Sequence, residues 1–375
     1  MDGLDSTPES SWHLPGPPIL SELDDLDCPD PFSSTPRPPG LDDISALART
    51  AVRPISPNLP TRRSFLSSGL SSLGWLAAGG AGAWYLRDRV FWPTPDAASL
   101  GGPDSSGWLP FAAPRQRLVT IGVTVNGEPV TALLDSGAQY SVVDRAWAEK
   151  RGLQSALAPP MVAYGAGGGA QLGRGASVHL TVGALTLSDL KVAILELGPI
   201  VRASGVAMPL ILGQDLLSVL VADIDFPGRR VALRRPETVE IPNDGVVAPA
   251  RREGRALHVE VALEGTPLDV LVDTGASGAL ALTAPTAETL GLSGRPARTD
   301  SSIVLGGVAQ ARVITAETLR VAEATLRDVD VYVFDAPPIP GFPKGLLGLG
   351  AFRGARIQLD CGRGRLHIRR RDGAG

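Results

Sequence analysis

The sequence predicts an all-β fold of two tandem lobes, and three observations predict it. Glycine (44) and proline (33) together make up about a fifth of the 375 residues, a composition of short strands and many turns rather than long helices. Where the sequence turns apolar it alternates with period two, as in Leu118–Val125, which is the signature of a half-buried strand. Finally, one unit of about 120 residues, a suitable size for one small domain, is written twice.

The duplication is visible by direct comparison. Thr124-Val125-Asn126-Gly127-Glu128-Pro129-Val130-Thr131-Ala132-Leu133-Leu134-Asp135-Ser136-Gly137-Ala138 stands beside Ala262-Leu263-Glu264-Gly265-Thr266-Pro267-Leu268-Asp269-Val270-Leu271-Val272-Asp273-Thr274-Gly275-Ala276 at a constant offset of 138. Arg151-Gly152-Leu153 answers Leu290-Gly291-Leu292, and Thr186–Leu190 answers Thr325–Val329, both at 139; Ile211-Leu212-Gly213 answers Leu346-Leu347-Gly348 at 135. Agreement at several points with so little drift identifies a tandem repeat.

From the N-terminus, residues 1–60 hold 12 of the 33 prolines, and residues 1–49 hold ten acidic side chains against Arg37 and Arg49. Such a segment buries too little apolar surface to offset chain entropy and is expected to be disordered. Thr61-Arg62-Arg63-Ser64-Phe65-Leu66 opens an uncharged run to Leu86. An arginine pair before a mildly apolar stretch resembles a twin-arginine export signal over residues 61–86, which implies the twin-arginine export machinery as a partner. Ala81-Gly82-Ala83 offers a cleavage site, and the 22 residues Phe65–Leu86 also suffice to span a bilayer. The expected location is therefore the periplasm, either free or anchored in the inner membrane through residues 65–86. A signal placed after 60 residues, with no Met between Met1 and Met161, leads us to expect that translation starts at a non-Met codon such as that of Val52. N-terminal sequencing of the unprocessed chain tests this, and a peptide from residues 1–30 would exclude it.

Residues 87–114 are expected to be a linker, with a pro-segment lying in the cleft through Trp108, Leu109 and Phe111 as the lesser alternative. Lobe 1 is assigned to 115–235, an inter-lobe linker to 236–250 and lobe 2 to 251–372. In lobe 1, Val119, Ile121, Val123 and Val125 alternate with Thr120, Gly122 and Thr124, and Asn126-Gly127 turns the chain back into Val130–Leu134; Asn-Gly between apolar runs is a strong hairpin signal. Asp144–Arg151 and Pro285–Leu290 are the two convincing short helices, while Leu180–Leu195 and Leu319–Phe334 read as strand pairs.

Several function classes fall away on composition. Lys+Arg is 35 against Asp+Glu 39, a net charge of −4, so there is no basic field to hold a nucleic acid. Two cysteines, Cys28 and Cys361, make no disulfide framework or iron–sulfur site, and His13, His179, His258 and His367 show no ligand spacing; neither metal nor cofactor is expected. There is no G-x-S-x-G elbow or P-loop, and Gly165-Ala166-Gly167-Gly168-Gly169-Ala170 lacks the helix pattern that a dinucleotide fingerprint requires.

The chemistry sits where the two copies agree best. Asp135-Ser136-Gly137 and Asp273-Thr274-Gly275 each end an apolar run, Ala132-Leu133-Leu134 and Val270-Leu271-Val272. A carboxylate delivered there is costly to bury unless it finds a partner. Two of them, one from each copy, meet across a pseudo-twofold axis and share one proton, since like charges a few ångströms apart cannot both ionise easily. One then serves as general base on a water and the other as acid on a substrate carbonyl. Gly137 and Gly275 permit close approach of the backbone, and the hydroxyls of Ser136 and Thr274 are placed to bond across the lobes. One such site alone reads as an ordinary strand-end turn; the duplication is what makes it a dyad.

Leu133-Leu134-Asp135-Ser136-Gly137-Ala138, followed by Ile211-Leu212-Gly213-Gln214-Asp215-Leu216-Leu217, resembles the retropepsin-like aspartic proteases, and the second copy matches at Asp273-Thr274-Gly275-Ala276 and Leu346-Leu347-Gly348. The second copy departs from the pattern at Leu349-Gly350, which stands where a polar pair is usual. The resemblance covers about residues 115–370. It implies two tandem retropepsin-like β-barrel lobes forming a pepsin-like bilobal body with a central cleft. It also implies an aspartic endopeptidase acting on peptide or protein substrates through Asp135 and Asp273, with the monomer as the active unit because both lie in one chain. Tyr164-Gly165 and Gly306-Gly307, where the glycines begin 30 and 33 residues after their aspartates, fall where that family has its flap hairpins. The alternative is a non-catalytic peptide-binding or regulatory module on the same fold. Val142, Val143, Ala279 and Leu280 are assigned either to the cleft or to the core.

Overall fold

The computed structural model describes residues 95, 99–113, 118–153, 161–164, 170–240, 244–304, 307–335 and 342–370, all within a single compact unit. The expectations for residues 1–86, namely the acidic segment, the export signal and its apolar run, lie outside the described residues.

The described residues are mostly strand. In lobe 1 an eight-stranded sheet runs in the order Leu100–Gly101, Leu185–Leu195, Val142–Asp144, Leu210–Leu212, Glu128–Leu134, Thr120–Val125, Ala170–Val182 and Met161–Tyr164, and a further pairing of Leu185–Leu195 with Ala170–Val182 curls it on itself. Lobe 2 repeats the plan with Ala250–Glu253, Ala256–Leu263, Thr266–Asp273, Gly345–Gly348, Leu280–Thr283, Ala324–Phe334, Gly307–Val321 and Ala297–Val304, where Ala256–Leu263 also pairs with Gly307–Val321. The period-two reading carries through: Val119, Ile121, Val123 and Val125 are all buried. The hairpin turn that leads into each aspartate-bearing strand has positive φ at both central residues, 49° and 86° at Asn126-Gly127 and 49° and 83° at Glu264-Gly265, as the tight hairpin turn matching strand twist demands.

The two expected helices form at Arg145–Lys150 and Ala284–Thr289, and each opens on a capping side chain. Asp144 Oδ2 accepts from Trp147 N at 3.2 Å and Thr283 Oγ1 from Thr286 N at 3.4 Å, the usual remedy for orphan N–H groups at a helix start. A third helix, Gly198–Ser204, was not expected. It has Pro at its start and ends on Gly205 at φ 67°, too short to display a helical period yet punctuated as a helix.

The lobes differ after the strands that pair with the aspartate-bearing ones. Gln214–Leu217 is an α-helical turn, whereas Leu349–Phe352 is a 3-10 turn. In lobe 1 the buried Asp215 carboxylate accepts from Ser141 N, Ser141 Oγ and Leu216 N at 2.8–2.9 Å. A Cβ on Gly350, its positional counterpart, would lie 2.6 Å from Ala279 N. The backbone runs too close in lobe 2 for a side chain at that position, so the glycine of Leu349-Gly350 is a packing requirement.

A third, six-stranded sheet ties the lobes together: Val246–Ala248, Arg365–Arg370, Ala355–Asp360, Val221–Asp225, Arg230–Arg234 and Leu109–Pro110. It draws on both expected linkers as well as both lobes, so the boundaries read from sequence are corrected here. Ser99–Ala113 is built into the body, and so is Val246–Ala248. The expected cleft anchors serve this sheet instead. Trp108 lies 4.4, 5.4 and 5.0 Å from the guanidinium carbons of Arg230, Arg234 and Arg356, and Phe111 meets Phe226 edge-on at 6.4 Å. The same Arg234 and Arg356 clamp the buried carboxylate of Asp223, which a sheet buried at that point needs to keep its charge paired.

Candidate active site

Each aspartate is set at the end of a core strand by parallel pairing: Leu133↔Ile211 and Leu134↔Leu212 in lobe 1, Leu271↔Leu346 and Val272↔Leu347 in lobe 2. Asp135 N then donates to Leu212 O at 2.9 Å. The loops beyond the two strands meet, and the structure brings Asp135 and Asp273, 138 residues apart, together, each carboxyl lying against the glycine of the opposite lobe.

Ser136 and Thr274 interlock the two loops. Ser136 N donates to Thr274 Oγ1 at 2.9 Å and Thr274 N to Ser136 Oγ at 3.0 Å, while each hydroxyl donates to a carbonyl of the opposite lobe, Ser136 Oγ to Val272 O at 2.6 Å and Thr274 Oγ1 to Leu134 O at 2.8 Å. Four bonds among buried groups fix the separation and twist of the loops, and each hydroxyl is fully used as donor and acceptor. Gly137 N and Ala138 N donate to Asp135 Oδ1 at 2.8 and 3.1 Å, and Gly275 N to Asp273 Oδ1 at 2.8 Å. The two glycines are forced by the opposite lobe: a Cβ on Gly137 would stand 2.7 Å from Asp273 Cγ, and one on Gly275 would stand 2.6 Å from Asp135 Cγ.

Burial raises the pKa of both carboxyls above the ordinary value of 3.8, opposed at Asp135 by the N–H groups of Gly137 and Ala138. Asp273 is pushed well above it, first by burial and then by the negative charge of Asp135. Two adjoining acids that burial and mutual charge push upward titrate as one pair and hold one proton between them. The Cys361 thiol is buried, and burial raises its pKa to about 12. Among the described residues no three His, Cys, Asp or Glu side chains converge as a metal-binding group.

Gly165 and Gly306 lie outside the described residues. Tyr164 ends a strand in register with Ala170, and Gly307 opens a strand in register with Val304, so the stems of both glycine-tipped hairpins are formed. Val142, Val143 and Leu280 are buried and Ala279 partly so. Sequence reasoning missed Gln214, which is buried and donates through Nε2 to Ser136 O at 2.8 Å; its place just after Gly213 was the available signal. A groove of about 760 Å³ lined by Trp147, Pro129, Gly183 and Pro209 contains neither aspartate, so cavity size alone would not find this site.

A family model described as aspartyl protease matches residues 121–216 and again 259–351, together about half of the chain. The chain is similar to DNA damage-inducible protein 1 of Kluyveromyces lactis, 30% identical over 148 residues that cover 38% of this chain and 33% of the relative, so it spans about a third of that protein's length. A crystal structure of a retropepsin-like aspartic protease from Rickettsia conorii aligns at 22% identity over 33% of this chain and 86% of that one, with a TM-score of 0.23.

Proposed function

Since the chain belongs to the retropepsin-like aspartyl protease family, we propose that it is an endopeptidase that hydrolyses peptide bonds with a water held between Asp135 and Asp273. The observation that carries this reading is the meeting of the two half-buried carboxyls, each lying against the glycine of the opposite lobe, with the pKa of both raised. Asp135 in its ionised form takes a proton from the water as the oxygen attacks the scissile carbonyl carbon, and Asp273 gives its proton to the carbonyl oxygen. The tetrahedral diol collapses when Asp135 passes its proton to the amide nitrogen and Asp273 recovers one from a hydroxyl, breaking the C–N bond. No covalent enzyme intermediate forms. The interlocked hydroxyls hold the carboxyls in place through both steps, which is where positioning contributes to rate. Turnover of an unstructured protein, blocked by a statine-type inhibitor, tests the reading; binding of peptides without turnover would favour the non-catalytic alternative.

The pH dependence follows from the same pair. Activity requires one proton on the dyad, so it is lost at low pH when Asp135 also protonates and at high pH when Asp273 ionises. Because both pKa values are raised, the expected kcat/KM profile is a bell whose acid limb lies above 3.8 and whose alkaline limb belongs to Asp273. An activity that rises monotonically from pH 4 to pH 9 would contradict the shared proton.

We further propose that residues 61–86 export the protein already folded, consistent with a catalytic region that contains only Cys361 and so needs no oxidising compartment. Replacing Arg62 and Arg63 with lysine is expected to leave active enzyme in the cytoplasm. Undiminished periplasmic activity would mean that the arginine pair is not read as a signal.

A further inference from the structure

The two walls of the cleft are built from equivalent strands but are not copies of each other. Side chains two apart on a strand share a face, so Leu133 lies on the face of Asp135 and Leu271 on that of Asp273. Sheet register extends each into a row: Leu133↔Ile211↔Val142↔Ala193 in lobe 1 and Leu271↔Leu346↔Ala281↔Tyr332 in lobe 2. The lobe 1 row is sealed by apolar neighbours: Tyr140, Leu195, Leu197 and Met208 are buried with it, and Ile200 and Val201 of the Gly198–Ser204 helix pack on top.

In lobe 2 the aromatic ring comes from a different place. Five residues after Asp273 stands Gly278, where lobe 1 has Tyr140 five residues after Asp135. A Cβ on Gly278 would lie 3.2 Å from the Tyr332 ring, so the ring that ends the lobe 2 row lies against the catalytic loop. Tyr332, Leu346 and Ala281 are only partly buried. The Tyr332 hydroxyl donates to Asp300 Oδ2 at 3.2 Å, on the outer strand of the glycine-tipped hairpin. Beside it, Arg298 is engaged by Asp330 through two bonds of 2.8 and 2.9 Å. The lobe 2 wall thus offers an apolar floor that ends in a phenol and a carboxylate, a combination the sealed lobe 1 wall lacks.

We propose that the lobe 2 wall is a subsite for a lysine or arginine side chain of the substrate, whose aliphatic stem lies along Leu346, Ala281 and the Tyr332 ring while its charged end pairs with Asp300. Long basic side chains bury their stems and keep the head at a polar rim in this way. Three strand spacings separate Leu271 from Tyr332, roughly 14 Å at about 4.8 Å each. An extended peptide advances about 3.3 Å per residue, so with the reach of the basic side chain itself the residue read is roughly two or three positions from the scissile bond. The lobe 1 row, sealed by its own side chains, offers no matching subsite, and the enzyme therefore distinguishes the two directions of a peptide.

This inference rests on the peptidase reading, and its test separates the two. Cleavage profiling of the full chain on a diverse peptide library is expected to show one position enriched in Lys and Arg. The ratio of kcat/KM for a lysine peptide to its norleucine analogue should fall about tenfold in Asp300→Asn, and Asp300→Lys should shift that position toward Glu and Asp. Tyr332→Phe, which keeps the ring, should lower the same ratio by a smaller factor. A role confined to bracing the hairpin would instead lower both peptides equally. Cleavage by the wild type without basic preference, or with the same profile in both Asp300 variants, would overturn the subsite and leave the peptidase reading standing. If no library member is cleaved and no statine-type inhibitor binds, both fail together.

Discussion

Asp135→Asn and Asp273→Asn are each expected to reduce kcat/KM by on the order of 10⁴-fold, the upper range for loss of a general acid or base, with losses of similar size. An asparagine at 135 removes the base that takes the water's proton, and one at 273 removes the acid that protonates the carbonyl. Neither can be replaced by the other, because the interlock of Ser136 and Thr274 holds both loops in fixed register. Folding should survive, since Asn keeps an oxygen to accept the N–H groups of Gly137 and Ala138 at one site and of Gly275 at the other. Stability should change in a definite direction. A carboxyl whose folded pKa is raised binds its proton more tightly in the folded state, so its contribution to stability declines as pH rises through the folded pKa. Asp273→Asn should therefore unfold at a higher temperature than wild type at pH 7, with the gap narrowing toward pH 4. An equimolar mixture of the two inactive variants should stay inactive, because each chain supplies both halves of its own site. Near-native turnover by either variant would exclude the shared-proton mechanism, and recovery on mixing would mean that lobes pair between chains.

Gly137→Ala and Gly275→Ala are expected to reduce turnover by about 10²-fold, the cost of roughly an ångström of misplacement at a reacting centre, while the fold remains intact. Neither glycine has positive φ, so the substitution carries no backbone strain, and the effect comes from contact alone. The added methyl would stand 2.6 to 2.7 Å from the carboxyl carbon of the opposite lobe, and the carboxyl is what must move. Because each glycine presses on the aspartate of the other copy, Gly275→Ala should disturb the base and Gly137→Ala the acid. The corresponding limb of the pH profile should shift in each variant. Full activity in both would mean that the dyad tolerates displacement and that its geometry is not rate-determining.

The duplication, the strand periodicity and the two Asp-[Ser/Thr]-Gly segments were all determined by the sequence itself. These are local signals, in which alternation reports a half-buried strand and a repeated segment reports repeated structure. The hairpin at Asn126-Gly127 and the helices read from Asp144 and from Pro285 belong to the same class, since turn and helix-start chemistry is decided within three or four residues. Tertiary structure decided what depends on contacts between distant parts of the chain. That Leu109–Pro110 and Val246–Ala248 are edge strands rather than linkers follows from partners more than a hundred residues away, and two- or three-residue strands carry no period of their own. That Gly350 cannot be an aspartate follows from the approach of Ala279, and that Gln214 supports the loop of Ser136 follows from a fold that returns it there. The asymmetry of the cleft walls was invisible for the same reason. Tyr140 and Tyr332 stand at non-equivalent positions of the repeat, and only packing shows that each supplies the ring beside its own aspartate loop, one beneath Arg255 at 5.2 Å and the other bonded to Asp300.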